Sequence, residues 1–140
     1  MPLKNISVAA FFILFTALVL SACQMNPITI TNAKMANGIN KKFMPVGVTD
    51  VFPAGTTRAS CWFEWKNARV GTKIIAHWQF VTDNIHILNY EFIIPKKEGS
   101  GSVSLAMPEG KKLPEGVYKV GLSFGDSILK SLTFKVGNAG

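Results

Sequence analysis

The sequence contains few of the residues that bind metals. Its 140 residues include two histidines, His77 and His86, and two cysteines, Cys23 and Cys61. A protein metal site needs three or four converging ligands. The two histidines fall in successive strand-like segments, and a hairpin between those segments would bring them together, but they would supply only two ligands. We therefore expect no metal ion and no cofactor.

Catalytic groups are equally sparse. Nucleophilic catalysis needs a nucleophile, a base and a group that orients the base. Ser60 and Ser123 lie in strand-like segments with no assignable base, and no glycine-rich phosphate loop opens a helix. The glutamates are dispersed over separate segments, which suggests no carboxylate pair: Glu64, Glu91, Glu98, Glu109 and Glu115. The sequence predicts a protein that is not an enzyme.

Acidic residues are outnumbered. Eight Asp and Glu stand against fifteen Lys and Arg, a formal charge of +7. An excess of this sign favours contact with lipid head groups, polyanions or an acidic protein. Because the lysines are scattered along the chain, solubility is the preferred explanation of the excess.

One long apolar run is present, near the N-terminus. Lys4 precedes it, Val8 to Leu20 is almost wholly apolar, and small residues follow. A basic start, an apolar core of this length and a small-residue end are typical of an export signal. The run is shorter than the roughly 20 residues that cross a bilayer. An uncleaved membrane anchor is therefore the second interpretation.

The residues at the end of this run carry more specific information. Leu20-Ser21-Ala22-Cys23 resembles the lipobox of bacterial lipoproteins. The resemblance implies that Cys23 receives a diacylglyceryl group on sulfur, that the leader is cut before it and that the new N-terminus is acylated. It divides the chain into a signal peptide (1–22), a lipidated tether (23–27) and one domain (28–140).

The same resemblance implies a location and a redox state. Gln24, where an inner-membrane protein of that family has Asp, implies the outer membrane of a Gram-negative envelope. A lipidated Cys23 cannot form a disulfide, so we expect Cys61, inside a strand-like run, to be a buried free thiol. An exported protein without an interleaved aromatic and basic surface is not expected to bind nucleic acid.

The mature chain shows no sustained helical period. Strand-like segments instead recur every 8–12 residues and are separated by Gly- and Pro-rich turns, which is typical of an antiparallel β-sandwich of about seven strands. The expected strands are 28–33, 58–66, 73–81, 85–94, 102–107, 117–124 and 128–136. Residues 37–55 are expected to form a long irregular loop with at most a short strand at 46–48. Gly125-Asp126 predicts a two-residue hairpin turn.

Two features resemble immunoglobulin-like and fibronectin-like domains. Pro114-Glu115-Gly116-Val117-Tyr118 resembles the approach to their sixth strand, where a tyrosine anchors the corner. Trp78 resembles their core tryptophan. Alternation places four residues of the expected strand 73–81 on one inward face: Ile74, Ala76, Trp78 and Phe80. In the later strand 117–124 it places residues 118, 120, 122 and 124 inward. The inter-sheet disulfide of antibody domains is missing, which argues against an antibody-type domain and not against the sandwich.

Two groups of residues are candidates for binding. If Cys61, Phe63 and Trp65 face the core, Trp62 either faces outward as an interface anchor or packs under the 37–55 loop. Seven-strand topology also brings two loops to one end of the sandwich, and these loops carry four cations: Arg69, Lys73, Lys96 and Lys97. Lys111 and Lys112 are expected at the opposite end, which weakens the idea of a single basic patch.

The preferred functional hypothesis is an envelope lipoprotein whose sandwich binds another envelope protein. Its plan is similar to that of small sandwich lipoproteins of secretion systems. The alternative is a lipoprotein that binds a glycan or another small ligand through exposed aromatic residues, Trp62 or Trp65.

Overall fold

The computed structural model describes residues 27–138, and these form nine strands and one short 3-10 turn, Pro108–Gly110. The strands are β1 (Thr29–Ile39), β2 (Pro45–Val48), β3 (Val51–Phe52), β4 (Arg58–Lys66), β5 (Lys73–Phe80), β6 (Ile85–Ile93), β7 (Gly99–Ala106), β8 (Gly116–Phe124) and β9 (Ser127–Val136). Between Pro27 and Asn138 the structure has no helix long and apolar enough to cross a bilayer. The leader and Cys23 lie outside the described residues.

The strands form two sheets. Sheet A has the order β2-β1-β4-β7, and sheet B has the order β3-β9-β8-β5-β6. All neighbours are antiparallel except β3 and β9, which run parallel. Strands that alternate apolar and polar residues bury one face each, so the two sheets cover each other. The predicted all-β immunoglobulin-like sandwich is confirmed, with one parallel pair added to it.

The core lies between the sheets. The inward residues of β5, Ile74, Ala76, Trp78 and Phe80, are all buried, as their alternation predicts. The Trp78 ring meets Phe134 edge-on with centroids 6.1 Å apart, and Tyr118 stacks on Phe134 at 5.1 Å. The Tyr118 hydroxyl donates to the Pro114 carbonyl four residues upstream. Trp78 and Tyr118 therefore occupy the core and corner roles that the immunoglobulin resemblance implies.

The last residue of β8 is less covered than predicted. Alternation predicts that Phe124 points inward with Leu122, but Phe124 is 43% exposed. The register shift between β8 and β9 leaves Leu129 of β9 unpaired, whereas β8 keeps its register with β5 through Ser123. Phe124 is exposed because it ends the strand, paired with Ser127 across the turn. The turn after Phe124 is as predicted, with Gly125 at φ 57°.

The region expected to be a long loop is more ordered than predicted. β1 continues to Ile39 and pairs with β2 as well as β4. The hairpin between β1 and β2 is held by Asn40, whose side-chain oxygen accepts hydrogen bonds from the backbone N–H groups of Lys42 and Met44. Asparagine commonly stabilises turns in this way. The expected irregular segment thus contains two short strands and a capped turn.

Cys61 is a free, fully buried thiol in the core. Burial raises the pKa of Cys61 from 9.0 to about 12, and burial likewise raises the pKa of Tyr118 from 10.0 to about 12. Above pH 9 the unfolded chain loses these protons while the folded chain keeps them. Stability is therefore complete below pH 9 and falls as pH rises from 9 to 12, by up to about 1.4 kcal/mol per pH unit through Cys61, with a smaller further loss through Tyr118 above pH 10.

We expect urea unfolding midpoints of residues 24–140 to show this decline above pH 9. In Cys61→Ala the decline should begin about one pH unit later, near the ordinary pKa of tyrosine. A decline with the same onset in both proteins would contradict the assignment to Cys61.

Candidate functional site

The most distinctive surface of the domain is the outer edge of sheet B. Within residues 27–138, β5 is the only strand that pairs with β6, so the far side of β6 is unpaired. Four large apolar side chains on β6 are between 37% and 57% exposed: Ile85, Leu88, Tyr90 and Ile93. An unpaired strand offers a row of free backbone N–H and C=O groups. β6 therefore combines backbone hydrogen-bonding capacity with apolar side chains.

An apolar hollow adjoins the beginning of β6. It has a volume of about 180 Å³ and lies between the edges of the two sheets, lined on the β6 side by Ile85 and Ile87 and on the other side by Leu105, Met107 and Leu113. At the other end of β6 the gap between the sheets is closed by Phe92, whose ring contacts Trp65 and covers Gly101 of β7. A Cβ atom at Gly101 would stand 2.5 Å from that ring. The exposed edge thus leads into a hollow that is open at one end.

Only part of β6 carries features that discourage strand pairing. The register with β5 shifts at Ile87, which has no partner between Leu88 and His86. Glu91 forms an ion pair with Lys73 of β5, with Nζ and Oε1 3.3 Å apart. Bulges and charges are common protections of edge strands. From Leu88 to Ile93 the register is unbroken and the charge of Glu91 is paired with Lys73, so this stretch is long enough to pair with about six residues of another chain.

The outer face of sheet B carries a polar cluster centred on His77. Its Nδ1 lies 2.8 Å from Asn89 Oδ1, and its Nε2 lies 2.7 Å from Ser123 Oγ. Because the amide oxygen can only accept, Nδ1 carries the proton. The one proton of the Ser123 hydroxyl has two acceptors in reach, His77 Nε2 at 2.7 Å and the Ile75 carbonyl at 3.4 Å. Both ring nitrogens are therefore engaged by protein groups.

This cluster has the residue types of a nucleophilic triad, but its serine is largely buried. Ser123 is 4% exposed, and it borders a surface hollow on this face. Nearby, His77 and His86 line the same surface hollow of about 320 Å³, as a hairpin between β5 and β6 predicts. No group of three or more His, Cys, Asp or Glu residues in the described part of the chain is arranged to hold a metal ion. The hydrogen bonds of the His77 cluster link the side chains of three neighbouring strands of sheet B, β6, β5 and β8.

The structure brings together the two loops that carry the four predicted cations. Ala68 N–H donates to the Lys97 carbonyl at 3.0 Å, and Gly71 N–H donates to the Ile94 carbonyl at 2.9 Å. Arg69, Lys73, Lys96 and Lys97 are all exposed at this end. Their role in binding stays a prediction. Lys111 and Lys112 lie at the opposite end, where the adjoining Leu113 N–H donates to Thr56.

Trp62 is not an exposed anchor, and that alternative is wrong. Its side chain is 2% exposed, and its Nε1–H donates to the Phe43 carbonyl at 2.8 Å. The turn between β1 and β2 folds over the outer face of sheet A and covers the indole. Trp65 is buried too, and its Nε1–H donates to the Lys96 carbonyl. Neither tryptophan is available to stack on a sugar.

Sequence reasoning missed the β6 edge. The signal was present in the sequence, because apolar residues occur at both odd and even positions of 85–93 instead of alternating strictly. Such a pattern is also expected for a central strand buried on both faces. Only the strand order, with β6 last in sheet B, shows that these side chains are exposed.

No protein-family model matches the chain, and no curated protein matches it. Among solved structures, it is similar to an immunoglobulin-like protein from Pseudomonas aeruginosa, with 12% identity and a TM-score of 0.57 over 81% of this chain and 98% of that one. Weaker similarities cover parts of two larger enzymes. One is an alkylpurine DNA glycosylase from Pseudomonas fluorescens (13% identity, TM-score 0.46, 79% of this chain and 30% of that one). The other is a β-glucosidase from Listeria innocua (11% identity, TM-score 0.47, 81% of this chain and 16% of that one).

These similarities concern architecture. At 12% identity the immunoglobulin-like protein supports the fold alone, and it agrees with the sandwich described above. The two enzyme similarities have TM-scores below 0.5 and cover less than a third of each enzyme chain. Any function must therefore be argued from the surfaces of this domain.

Proposed function

We propose that this chain is a non-enzymatic protein-binding module, held at a bacterial membrane by a lipid on Cys23, whose β6 edge takes up an extended segment of another envelope protein. The observation that carries the proposal is β6 itself, an unpaired strand with four exposed apolar side chains. The free backbone N–H and C=O groups of such a strand gain hydrogen-bond partners when a strand of another protein adds to the sheet. The partner's backbone supplies affinity and its alternate side chains supply specificity.

The chemistry of β6 defines the segment that fits it. Leu88 and Tyr90 lie next to each other on the face of β6 that is turned toward sheet A. The partner strand therefore needs apolar residues at alternate positions on that same face. Near Ile85 one of those residues would enter the apolar hollow beside Met107. A second copy of this chain is a poorer occupant, because two positively charged chains repel each other.

The lipid anchor is supported by the residues at the N-terminus. Lys4, the apolar run and Leu20-Ser21-Ala22-Cys23 form an export leader that ends in a lipobox. Two or more acyl chains hold a protein firmly on a bilayer, whereas one holds it only marginally. Gln24 favours the outer membrane, and a protein on that membrane meets extended segments of other envelope proteins.

The alternative of glycan binding through exposed aromatics lacks its tryptophans. All three tryptophans of the chain, Trp62, Trp65 and Trp78, are buried. The most exposed aromatic residue of sheet B is Tyr90, and it lies in a row of aliphatic side chains. That setting suits a protein strand better than a sugar, whose polar groups need hydrogen-bonding side chains around the ring.

Site-specific photocrosslinking in intact envelopes tests the β6 edge. With a photoreactive phenylalanine analogue at Tyr90, we expect a discrete crosslinked partner. The same analogue at Ile128 of β9, an exposed apolar position (69%) away from β6, should give none. Leu88→Lys, with the analogue kept at position 90, should lower recovery of that partner by at least 30-fold, because a central anchor contributes about 2 kcal/mol or more.

The proposal fails if position 128 gives the same adducts as position 90, or if position 90 gives none. A crosslinked product of twice the chain mass would identify a second copy as the occupant and would overturn the assignment of an envelope partner.

A further inference from the structure

The turn between β1 and β2 holds an aromatic side chain in solvent. Phe43 is 68% exposed, more than any other aromatic residue between Pro27 and Asn138. Met44 beside it and Val46 of β2 are each 49% exposed. These neighbouring residues make up what we call the apolar tip: Phe43, Met44 and Val46.

The backbone conformation of Phe43 is unfavourable for a bulky residue. Its φ is 58°, in the left-handed region that glycine and asparagine adopt at lower cost. The turn imposes this conformation, because the Phe43 N–H donates to the Asn40 carbonyl at 3.0 Å and the Phe43 carbonyl accepts from the Trp62 indole N–H at 2.8 Å. The exposed ring adds little packing in return. A strained backbone that presents an exposed side chain points to a role in binding.

The backbone next to the tip is not suited to pair with another strand. Pro45 begins β2 and has no N–H to donate. Gly47 has φ 65°, and a Cβ atom there would collide with the side chain of Asn37. Proline and irregular backbone are common protections of edge strands. The apolar tip therefore differs from the β6 edge, since it can bind only through its side chains.

Two cations stand directly beside the apolar tip. Lys41 and Lys42 precede Phe43 in the turn and are exposed, and within residues 27–138 neither forms an ion pair with a carboxylate. The acidic residue that follows β2, Asp50, lines a hollow together with Lys34, which offsets its charge. An exposed aromatic ring beside lysines is typical of segments in a membrane interface, where the ring lies at the head-group boundary and the amines contact phosphates.

The small size of the tip favours a bilayer over a protein as its binding partner. A stable protein interface buries about 800 Å² on each partner around its aromatic anchors. The tip offers three apolar side chains, and the residues before them are lysines, which are depleted from the centres of protein interfaces. A fluid head-group layer adapts its shape to a protruding ring and supplies phosphates to the neighbouring amines.

The position of the tip suits a chain that is anchored at Cys23. The tip lies on the outer face of sheet A, over Trp62. Trp62 pairs with Lys34, which is five residues after Thr29, at most about 17 Å along an extended strand. Five residue steps separate Cys23 from Ile28, which span at most about 18 Å. A bilayer that faces the outer side of sheet A is therefore within reach of both the anchor and the tip.

We propose that the apolar tip is a second membrane contact, which inserts Phe43 and Met44 among the lipid head groups while Lys41 and Lys42 bind lipid phosphates. This rests on the proposed anchoring at Cys23 and adds an orientation to it. The outer face of sheet A is turned toward the bilayer, and sheet B, with β6, forms the layer farther from it. One aromatic ring binds a bilayer weakly, so the contact depends on the anchor, which keeps the tip at the surface.

Fluorescence quenching by brominated lipid tests the insertion. The lipidated mature chain carrying Phe43→Trp is reconstituted into vesicles of phosphatidylglycerol and acyl-brominated phosphatidylcholine. We expect at least about twice the bromine-dependent loss of emission that the wild type shows, because a ring at the head-group boundary lies within about 10 Å of the acyl chains. The wild type supplies the baseline, since its tryptophans are buried.

The matched control is Ile128→Trp. Ile128 is as exposed as Phe43, at 69%, but it borders the hollow of His77 on the outer face of sheet B. We expect its quenching to equal that of the wild type. Equal quenching at positions 43 and 128, or none at position 43, would overturn the proposal. If position 43 is not quenched and a photoreactive analogue there captures a protein in intact envelopes, the tip is a protein contact instead.

Phe43→Asn separates binding from folding. Asparagine tolerates the left-handed conformation of this turn, so we expect the urea unfolding midpoint of residues 24–140 to be at least as high as in the wild type. A marked fall of the midpoint would show that Phe43 serves the fold, and it would contradict the argument for a binding role.

The anchor is scored separately by palmitate labelling and by flotation of the Phe43→Trp chain with the vesicles. A labelled chain that floats without quenching refutes the tip contact and leaves the proposed anchoring intact. A chain that carries no lipid and does not float refutes the anchoring, and the tip contact fails with it.

Discussion

Cys23→Ser is expected to abolish lipid labelling completely. A serine hydroxyl cannot replace the thiol that accepts the diacylglyceryl group, so the precursor should stay uncleaved and about 22 residues longer than the mature protein. Without its acyl chains the variant should no longer be held stably on the membrane. Palmitate incorporation, followed by fractionation and mass measurement, reads out all three changes.

Cys61→Ala is the matched control, because it removes the other cysteine of the chain. This variant should be labelled and cleaved normally, since Cys61 is buried between the sheets. If Cys23→Ser were still processed and labelled, or if Cys61→Ala lost its label, the lipobox interpretation would be wrong.

Trp78→Ala is expected to be the most destabilising single change in the domain. The ring is fully buried in sheet B and packs edge-on against Phe134. Removing a buried aromatic ring typically costs about 3–5 kcal/mol, which is a third or more of the stability of an average domain. The free energy of unfolding of residues 24–140 in urea measures the loss.

Trp78→Phe should cost far less, for a reason specific to this site. Trp78 Nε1 is buried and has no hydrogen-bond partner in the described structure. An unpaired buried donor costs about 1–3 kcal/mol, so its removal offsets much of the lost packing. Trp65→Phe is the comparison, because the Trp65 indole N–H donates to the Lys96 carbonyl and its loss leaves that acceptor unpaired. We expect Trp78→Phe to be the milder of the two, and the reverse order would contradict this account.

The alternation of apolar residues predicted most of the sandwich because each long strand buries one face. The inward side chains of β5 follow the pattern without exception. The pattern failed at Phe124, which ends β8 beside the turn and stays 43% exposed because little of the opposite sheet covers it there. It also failed for β3, since Val51 and Phe52 become a strand only by pairing with Lys135 and Val136 far along the chain.

The surfaces were harder to predict than the core. Alternation correctly separates Trp62 from the inward residues of β4, but it cannot show that the turn around Phe43 covers the indole. In β6, apolar residues on both faces predict burial on both faces. The position of β6 at a sheet edge is a property of the strand order, and strand order depends on contacts among distant segments. The candidate binding edge thus became visible only in three dimensions.

The parallel pairing of β3 with β9 has a consequence for how and when the domain can fold. It joins residues near position 51 to residues near position 135, and contacts of such long sequence separation slow folding. Sheet B cannot be completed until the last strand is available, so a chain emerging from synthesis remains without its full hydrogen-bonded framework almost to its end. A polypeptide that must be threaded through a translocation channel before it folds benefits from this delay. The order of the strands therefore suits the export that the proposed leader would direct.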